Sequence, residues 1–377
     1  MVENPPKIMV VYGTRPEAIK LAPVIRRLRS FDDVHVELVA TSQHQEMLGP
    51  IVQRFSIVPD HALPPLPERR GLNVLLAKTI AGLDEVLQEV NPEVILVQGD
   101  TTTAFAAAIA GFQHGAFVAH LEAGLRTGDT RAPFPEEANR KLITQIADFH
   151  FAPSEEARRN LIDEGVDDLS IEVTGNTVID ALMETASWEV SFDDPALRTA
   201  LSSGKRVVLI TAHRRENLKK IDGIVSAIEQ LAKSFSDCVF VYPVHANPDV
   251  KRVVGPRLEG KPNVILTESL PYDQFTKLLR LSHLVVTDSG GLQEEAPALG
   301  IPVLVLRDRT ERAEVEKAGA TKLVGTKPEK IVEAVTVLLT NSDEYDSMAV
   351  VSSPYGDGAA SLLVANTLRA VVQRTMR

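Results

Sequence analysis

The sequence is poor in cysteine, in basic charge and in long apolar runs, and each shortage excludes a class of protein. Its 377 residues include one cysteine, Cys238, so no disulfide can form within the chain and a reducing compartment is expected. The formal net charge of -11 argues against nucleic acid as the main partner, because a phosphate backbone requires a basic surface. No apolar run approaches the ~18 residues of a membrane span, and the N-terminal residues lack the long apolar region of a signal peptide. We therefore expect a soluble cytoplasmic protein that binds neither nucleic acid nor a membrane.

Several signatures of cofactor and nucleophile chemistry are also missing. The first strand–helix turn, YGTRPEAIK, lacks the G-x-G-x-x-G of dinucleotide-binding folds, and no Walker A sequence occurs. There is no G-x-S-x-G elbow of the kind that presents a nucleophilic serine. The nine histidines are scattered, without a cysteine pair or a compact His/Asp cluster at ligand spacing. The sequence therefore predicts neither a classical NAD site, nor a P-loop, nor a metal centre.

Short β-branched runs alternate with amphipathic stretches along almost the whole chain. Strand-like runs include IMVVY and VILVQ in the first half, and VVLIT and LVVTD in the second. Strands that alternate with helices predict parallel sheets built from βαβ units, and nearly continuous apolar strands predict sheets covered on both faces. The pattern contains about eleven strands, too many for one ordinary sheet. We expect an α/β fold of two Rossmann-like domains that face a cleft, residues 1–175 and 176–363, with a C-terminal helix over 364–377 that packs back on the first.

Two strand ends of the predicted first domain carry ionisable residues of opposite charge. Arg15 and Lys20 follow the first strand at the start of a helix, where a pair of cations could hold a phosphate. Ordinary surface residues are the alternative. Asp100 follows the strand VILVQ, where it could cap the next helix, project into the cleft, or do both. The carboxyl ends of parallel strands are where an open α/β sheet places its ligand site.

The stretch HLEAGLRTGDTRAPFPEEANR adds further carboxylates after the next strand. Glu122 follows that strand directly, and Glu136 and Glu137 begin a helix, where acidic residues favour the helix dipole. Arg126 and Arg131 could pair with them. Crowded carboxylates can separate in pKa and divide acid and base roles. A solvated loop is the alternative interpretation of this stretch.

The predicted second domain offers a histidine and a glycine-rich turn. His213 follows the strand VVLIT, where it could act as an acid, a base or a phosphate donor, or be a turn histidine bonded to the backbone. In VVTDSGGLQEEAP the turn Ser289–Gly291 precedes a helix whose free N–H groups could cradle a diphosphate. Glu295 could accept ribose hydroxyls, and Arg312 could reach the same phosphates. A plain turn is the alternative.

Seven motifs in a consistent order resemble one known family. GTRPE, QGDTTT, EAGLRTGD, PEEANR, HRREN, DSGGLQEEAP and the TER of RDRTER are similar to motifs of the non-hydrolysing UDP-N-acetylglucosamine 2-epimerases of bacteria, from about residue 8 to 330. The resemblance implies a glycosyltransferase-B-like fold and reversible conversion of UDP-GlcNAc to UDP-ManNAc through a 2-acetamidoglucal, with no cofactor. It also implies a cytoplasmic homodimer that supplies ManNAc for a cell-surface polysaccharide.

The resemblance further implies roles for individual residues. The catalytic set is Asp100, Glu122, Glu136 and His213. The set that binds the UDP-sugar is Arg15, Lys20, Phe275, Ser289, Gly290, Gly291, Glu295 and Arg312. An allosteric site for a second UDP-GlcNAc would comprise Gln43, His44, Arg69 or Arg70, and His245. The chain departs from the family pattern at Gln45-Glu46, at Gln98, where relatives often have histidine, and at Leu270, where they often have a polar residue.

Three other functions use similar parts. A hydrolysing epimerase would release UDP and free ManNAc, with water attacking where UDP should return. A retaining glycosyltransferase of the same architecture would need an acceptor groove, and it requires fewer clustered acids. A UDP-sugar sensor without catalysis would need the UDP half alone, whereas this sequence has the complete acid set and His213.

Overall fold

The structure is a computed structural model, and it describes residues 5–41, 51–65, 71–244, 248–310, 312–350 and 353–375. The chain divides into two compact units. Unit 1 comprises Met1–Ala181 and Tyr355–Arg377, and unit 2 comprises Leu182–Pro354. The chain thus leaves unit 1, completes unit 2 and returns to unit 1 for its last helix.

Strands and helices alternate through both units. The strands are β1 (Lys7–Tyr12), β2 (His35–Ala40), β3 (His61–Ala62), β4 (Val94–Gln98), β5 (Phe117–Leu121), β6 (Phe149–Ala152), β7 (Ile171–Val173), β8 (Arg206–Thr211), β9 (Cys238–Pro243), β10 (Val264–Thr267), β11 (Leu284–Thr287), β12 (Val303–Val305) and β13 (Thr321–Leu323). The helices are α1 (Arg15–Arg29), α2 (Leu72–Val90), α3 (Thr102–His114), α4 (Glu136–Thr144), α5 (Glu155–Asp163), α6 (Thr177–Ala186), α7 (Pro195–Leu201), α8 (Ile221–Ser234), α9 (Pro248–Leu258), α10 (Tyr272–Arg280), α11 (Gly290–Ala298), α12 (Ala313–Ala318), α13 (Pro328–Thr340), α14 (Ser342–Ala349) and α15 (Ala360–Thr375).

Each unit is built on one parallel sheet. The strand order is β3-β2-β1-β4-β5-β6-β7 in unit 1 and β10-β9-β8-β11-β12-β13 in unit 2. Both orders contain the doubly wound sequence 3-2-1-4-5-6, in which the chain reverses direction across the sheet beside its first strand. The described residues therefore confirm the expected α/β class with parallel sheets.

The apolar strands are continuous because both faces of each sheet are covered. In β8, Val208 and Ile210 pack into a cluster with helices α8 and α13. Val207 and Leu209, which alternate with them, pack on the other face with helices α10 and α11. Successive strand side chains point to opposite faces, so the central residues of such a strand, 207–210 in β8, are all apolar. The same reason accounts for the buried Cys238 at the start of β9.

The reversal of strand order fixes where a ligand site can form in each sheet. In unit 1 the reversal lies between β1 and β4, and in unit 2 it lies between β8 and β11. Loops leave these neighbouring strands in opposite directions, which opens a crevice at their carboxyl ends. Asp100 follows the end of β4 by two residues, and His213 follows the end of β8 by two residues, so these two side chains lie at the crevices.

The structure differs from the sequence prediction in two short strands, in the boundary between the units and in the start of the last helix. Two strands, β3 and β7, were not among the eleven expected, because runs of two and three partly exposed residues make no pattern. The units separate between Ala181 and Leu182 rather than after residue 175, and the last helix begins at Ala360 rather than 364. Among the described residues, no helix combines the length and apolarity that crossing a membrane requires.

Candidate functional site

A buried carboxylate organises the turn between β1 and α1. Thr14 is the N-cap of α1, and Glu17, 1% exposed, completes a capping box with it. Glu17 Oε2 accepts hydrogen bonds from the N–H groups of Gly13 (3.1 Å) and Thr14 (2.6 Å), and its Oε1 accepts one from the Thr101 hydroxyl (2.6 Å). Burial raises the pKa of Glu17, and these hydrogen bonds oppose that rise. Through its hydrogen bond with Thr101, Glu17 connects the turn that carries Arg15 to the turn after β4.

Asp100 lies in the turn after β4 and is held by helix α4. The N-cap of α3 is Thr101, whose hydroxyl accepts a hydrogen bond from the N–H of Ala104 at 3.0 Å. The capping interpretation of Asp100 is therefore wrong. Its Oδ2 instead accepts a hydrogen bond from Arg140 Nε at 2.8 Å, and its carbonyl accepts one from the Asn139 amide, also at 2.8 Å. The carboxylate remains 28% exposed, which leaves one side of it available to a ligand.

Glu122 combines a strained backbone with a paired carboxylate. Its φ is +66°, in the left-handed region that residues other than glycine rarely adopt. Its Oε2 accepts hydrogen bonds from Lys20 Nζ and, at 2.7 Å, from Gln98 Nε2. Its side chain is 10% exposed. Strain at a residue whose side chain is held this firmly is typical of functional sites. The structure thus brings Lys20 and Glu122 together across the reversal point of the sheet.

The two acidic residues that begin α4 have different surroundings. Glu137 is completely buried and accepts hydrogen bonds from the N–H groups of Thr127 (3.0 Å) and Gly128 (3.1 Å) and from Arg140 (3.2 Å). It therefore fixes the loop in front of the helix. Glu136 is partly exposed and makes no hydrogen bond with the residues that the structure describes. Its carboxylate can therefore approach a ligand.

The arginines of this stretch do not pair as the sequence suggested. Arg126 binds Glu164 through Nε (2.9 Å) and Nη2 (2.7 Å) instead of the acids that begin α4. Arg131 is exposed and forms no ion pair within the described ranges. The arginine that contacts two carboxylates is Arg140, between Asp100 and Glu137. The spacing along the loop does not identify this pairing, because Arg140 lies on α4 and its partner Asp100 is 40 residues earlier in the chain.

In unit 2 a buried aspartate organises the turn that carries His213. Asp288 is completely buried, and its carboxylate accepts hydrogen bonds from the N–H groups of His213 (3.0 Å) and Arg214 (2.9 Å) and from Asn217 Nδ2 (3.0 Å). Its Oδ1 also lies 3.6 Å from His213 Nδ1. The imidazole is 39% exposed. His213 is therefore partly accessible from the crevice, and the Asp288 carboxylate lies next to its Nδ1.

The glycine-rich turn after β11 borders a cavity. Ser289 is the N-cap of α11, and its side chain makes no capping hydrogen bond, so the first N–H groups of the helix remain available to an anion. A Cβ added to Gly291 would lie 3.5 Å from Glu295 Oε1, in ordinary contact. The cavity has a volume of about 290 Å³, near the lower limit for small-ligand pockets. Its lining consists of Thr211, His213, Pro243, Ser269, Leu270, Tyr272, Phe275, Ser289, Gly291, Leu292 and Glu295.

Two predicted ligand residues of unit 2 also have structural contacts. Phe275 lines the cavity and packs against the hydrophobic core. Arg312 does not line the cavity, and its Nε donates a hydrogen bond to the buried Glu294 at 2.7 Å. A neighbouring hydrogen bond joins Thr310 to Gln293 at 2.6 Å, so the loop before α12 is fastened to α11. Arg312 thus holds this loop against α11, the helix whose first turn borders the cavity.

Some predictions concern residues that the structure does not describe. The residues of the allosteric set, Gln43, His44, Arg69, Arg70 and His245, lie outside the described ranges. Within those ranges there is no group of three or more His, Cys, Asp or Glu residues that could hold a metal ion.

Sequence reasoning missed several residues that position this site. They are Glu17, Asn139, Arg140, Asn217 and Asp288. Glu17 could have been found from the T-x-x-E spacing of a capping box in GTRPE. The other four make contacts between elements far apart in the chain, for which the sequence carries no local signal.

Comparison with known proteins assigns the chain to a family. The family model described as UDP-N-acetylglucosamine 2-epimerase matches residues 26–369. The UDP-N-acetylglucosamine 2-epimerase of Yersinia pestis is 44% identical over 369 residues, which cover 96% of this chain and 98% of that protein. The Neisseria meningitidis UDP-GlcNAc 2-epimerase, solved bound to UDP-GlcNAc, is 42% identical with a TM-score of 0.86, over 96% of this chain and 99% of that one.

More distant structures retain the fold. The Methanocaldococcus jannaschii UDP-GlcNAc 2-epimerase, in complex with UDP-GlcNAc and UDP, is 30% identical with a TM-score of 0.76, over 97% of this chain and 99% of that one. A glycotransferase of kitacinnamycin, 14% identical with a TM-score of 0.64 over 98% of this chain and all of that one, shares the fold alone. The match to the family model and the identity to these relatives extend over nearly the whole chain, and this protein therefore belongs to the UDP-N-acetylglucosamine 2-epimerase family.

Proposed function

We propose that this protein interconverts UDP-GlcNAc and UDP-ManNAc by eliminating UDP and adding it back, without hydrolysis. The observation that carries the proposal is the group of acidic residues at the carboxyl edge of the first sheet. Glu122 is held by Lys20 and Gln98, Asp100 is held by Arg140, and Glu136, on the helix that holds Asp100, makes no hydrogen bond with the described residues. Relatives solved with UDP-GlcNAc support the choice of substrate.

The chemistry requires acid and base groups near one carbon of the sugar. The proton at C2 is not acidic while UDP is attached. As the anomeric C–O bond breaks, positive charge develops on the sugar and acidifies this proton, which a carboxylate can then remove. The products are 2-acetamidoglucal and UDP. When UDP adds back to C1 and a proton is delivered to the opposite face of C2, the epimer results.

The first sheet supplies carboxylates that suit this proton transfer. Glu122 has a fixed position and forms an ion pair with Lys20. Asp100 is similarly fixed by Arg140, whereas Glu136 is partly exposed and has no hydrogen-bond partner in the part of the chain that the structure describes. We propose that proton transfer at C2 uses these three groups. Replacing Glu122 by Gln, or Asp100 by Asn, should lower kcat by about 100- to 10,000-fold.

The second unit supplies groups that suit the leaving UDP. Negative charge accumulates on the diphosphate as the C–O bond breaks, and the free N–H groups at the start of α11, after Ser289, can stabilise that charge. His213 can donate a further hydrogen bond to it. Phe275 and Leu270 line the same cavity and offer apolar contacts to the uracil. Glu295, also in the lining, can accept hydrogen bonds from ribose. Arg15, which belongs to unit 1, is a further positive charge that we propose for binding the UDP-sugar.

The test is proton NMR of UDP-GlcNAc and the purified protein in D₂O. We expect UDP-ManNAc to appear with deuterium at C2, and the reverse conversion to start from UDP-ManNAc. Free ManNAc and UDP would identify a hydrolysing epimerase instead. An unchanged spectrum in a protein that still binds UDP would contradict the proposal and favour a transferase or a sensor. The Glu122→Gln variant serves as the control for contaminating activity.

Further properties are proposed from the family resemblance. We propose a cytoplasmic homodimer that supplies ManNAc units for a cell-surface polysaccharide, and a second UDP-GlcNAc site that activates the enzyme. Light scattering of the purified protein measures the oligomeric state. Sigmoidal dependence of the rate on UDP-GlcNAc, and slow turnover of UDP-ManNAc alone, would support the activating site. A hyperbolic curve with rapid turnover of UDP-ManNAc alone would exclude it.

A further inference from the structure

His120 is a buried histidine between the two turns that carry Asp100 and Glu122. It is the fourth residue of β5, it is completely buried, and Glu122 follows it by two residues. Its Nε2 lies 2.8 Å from the carbonyl oxygen of Gly99, the residue directly before Asp100. A carbonyl oxygen can only accept a hydrogen bond, so Nε2 carries the proton and donates it.

The surroundings of His120 keep it neutral. Burial is the main cause that lowers the pKa of His120 to about 3; the hydrogen bond to Gly99 opposes this shift, and the nearby His150, Arg126 and Arg140 add to it. Its Nδ1 is buried and has no hydrogen-bond partner among the described residues. An apolar side chain would fill this space without the penalty of an unpartnered nitrogen. The feature that distinguishes the imidazole from an apolar side chain at this position is therefore its hydrogen bond to the Gly99 carbonyl.

That hydrogen bond completes the support of the peptide unit before Asp100. Gly99 has a φ of +70°, and its N–H donates to the carbonyl of Leu121 at 2.9 Å. Its carbonyl oxygen lies in the same rigid plane as the N–H of Asp100. Both ends of Gly99 are thus fastened to β5, the strand that ends immediately before Glu122. A shift of this peptide would move Asp100 relative to Glu122.

We propose that His120 is a positioning residue that sets the distance between Asp100 and Glu122 by holding the Gly99–Asp100 peptide against β5. The inference rests on the proposed function, in which these two carboxylates act on the same sugar. It assigns no proton transfer to His120. The imidazole acts through its fixed Nε2–H alone, so a different side chain that presents an N–H at the same place should replace it.

Three substitutions of His120 separate this role from packing. The amide nitrogen of Gln reaches about as far as imidazole Nε2, that of Asn reaches the Nδ1 position, and Leu offers no donor. We expect H120L and H120N to lower kcat by about 100-fold, as misplacement of a reacting group by ~1 Å can do. H120Q should recover most of the loss. KM should change little, because the groups that hold UDP are untouched.

His150 provides a matched control. It lies beside His120 on the neighbouring strand β6 and is 2% exposed, and its Nδ1 likewise has no hydrogen-bond partner among the described residues. Its hydrogen bond goes to the backbone of Ala147 rather than to the turn of Asp100. The H150L variant should therefore lose thermal stability to a similar degree as H120L but keep its kcat.

The outcomes distinguish this inference from the proposed function. If the unmodified protein fails to epimerise UDP-GlcNAc, the proposed function is wrong. If it does epimerise, equal losses of kcat in H120L and H150L would overturn the positioning role. An H120Q variant as slow as H120N would overturn it as well, and this comparison remains available if H120L does not fold. Recovery in H120Q alone, with the pH profile of kcat unchanged, is the expected result.

Discussion

Replacing Glu122 by Gly should leave a more stable protein than replacing it by Ala, which is the reverse of the usual order. Glu122 has a φ of +66°, a conformation that any Cβ disfavours. Both variants lose the carboxylate and its hydrogen bonds to Lys20 and Gln98. These losses cancel in the comparison, which leaves the effect of the Cβ alone.

The expected difference follows from two opposing terms. A Cβ in the left-handed region costs about 1–2 kcal/mol. The greater freedom of glycine in the unfolded chain costs the fold about 0.4–1 kcal/mol relative to alanine. At the centres of these ranges, the Gly variant is more stable than the Ala variant by about 0.8 kcal/mol. Urea denaturation followed by circular dichroism measures this difference as a shift of the midpoint.

The neighbouring residue supplies the control. Ala123 is completely buried and is not among the residues with positive φ, so Ala123→Gly should destabilise the protein by about 1 kcal/mol. The reasoning from strain is refuted if Glu122→Gly is less stable than Glu122→Ala by as much as Ala123→Gly is less stable than the unmodified protein. Both variants at 122 should lack turnover. That result would show that turnover depends on the carboxylate itself.

Further predictions concern three buried or cavity-lining positions. Burial raises the pKa of Glu17 above its ordinary value of 4.5, so the folded state holds this proton to higher pH than the unfolded chain does. The wild type should therefore lose stability relative to Glu17→Gln as the pH rises, which urea titrations at about pH 5 and about pH 8 would detect. Gly291→Leu should fill the cavity and weaken UDP binding by about 10- to 100-fold in calorimetry, while the melting temperature stays unchanged. Asp288→Asn should leave buried donors unpaired, lower the free energy of unfolding by about 1–3 kcal/mol, and reduce kcat through His213.

The elements that could be predicted from the sequence are those buried on both sides. Four successive residues of the strand VVLIT are apolar because helices cover both faces of its sheet. The same reasoning overlooks β3 and β7, which are short and partly exposed. Residues at strand ends could also be singled out, because a charged residue directly after an apolar run is conspicuous. Their partners could not, and the two pairings suggested for Arg126 and Arg131 are not formed.

The sequence by itself determined the α/β class with its parallel sheets, the strand ends at which ionisable residues fall, and the family to which the chain belongs. These properties depend on local periodicity and on the order of motifs. Only the tertiary structure decided which groups touch, as in the pair of Lys20 with Glu122, 102 residues apart, and in the bond from His120 to Gly99. The physical reason is that such contacts depend on strand register, backbone conformation and burial together. A positive φ at Glu122 or the complete burial of His120 arises only when distant elements are packed against each other.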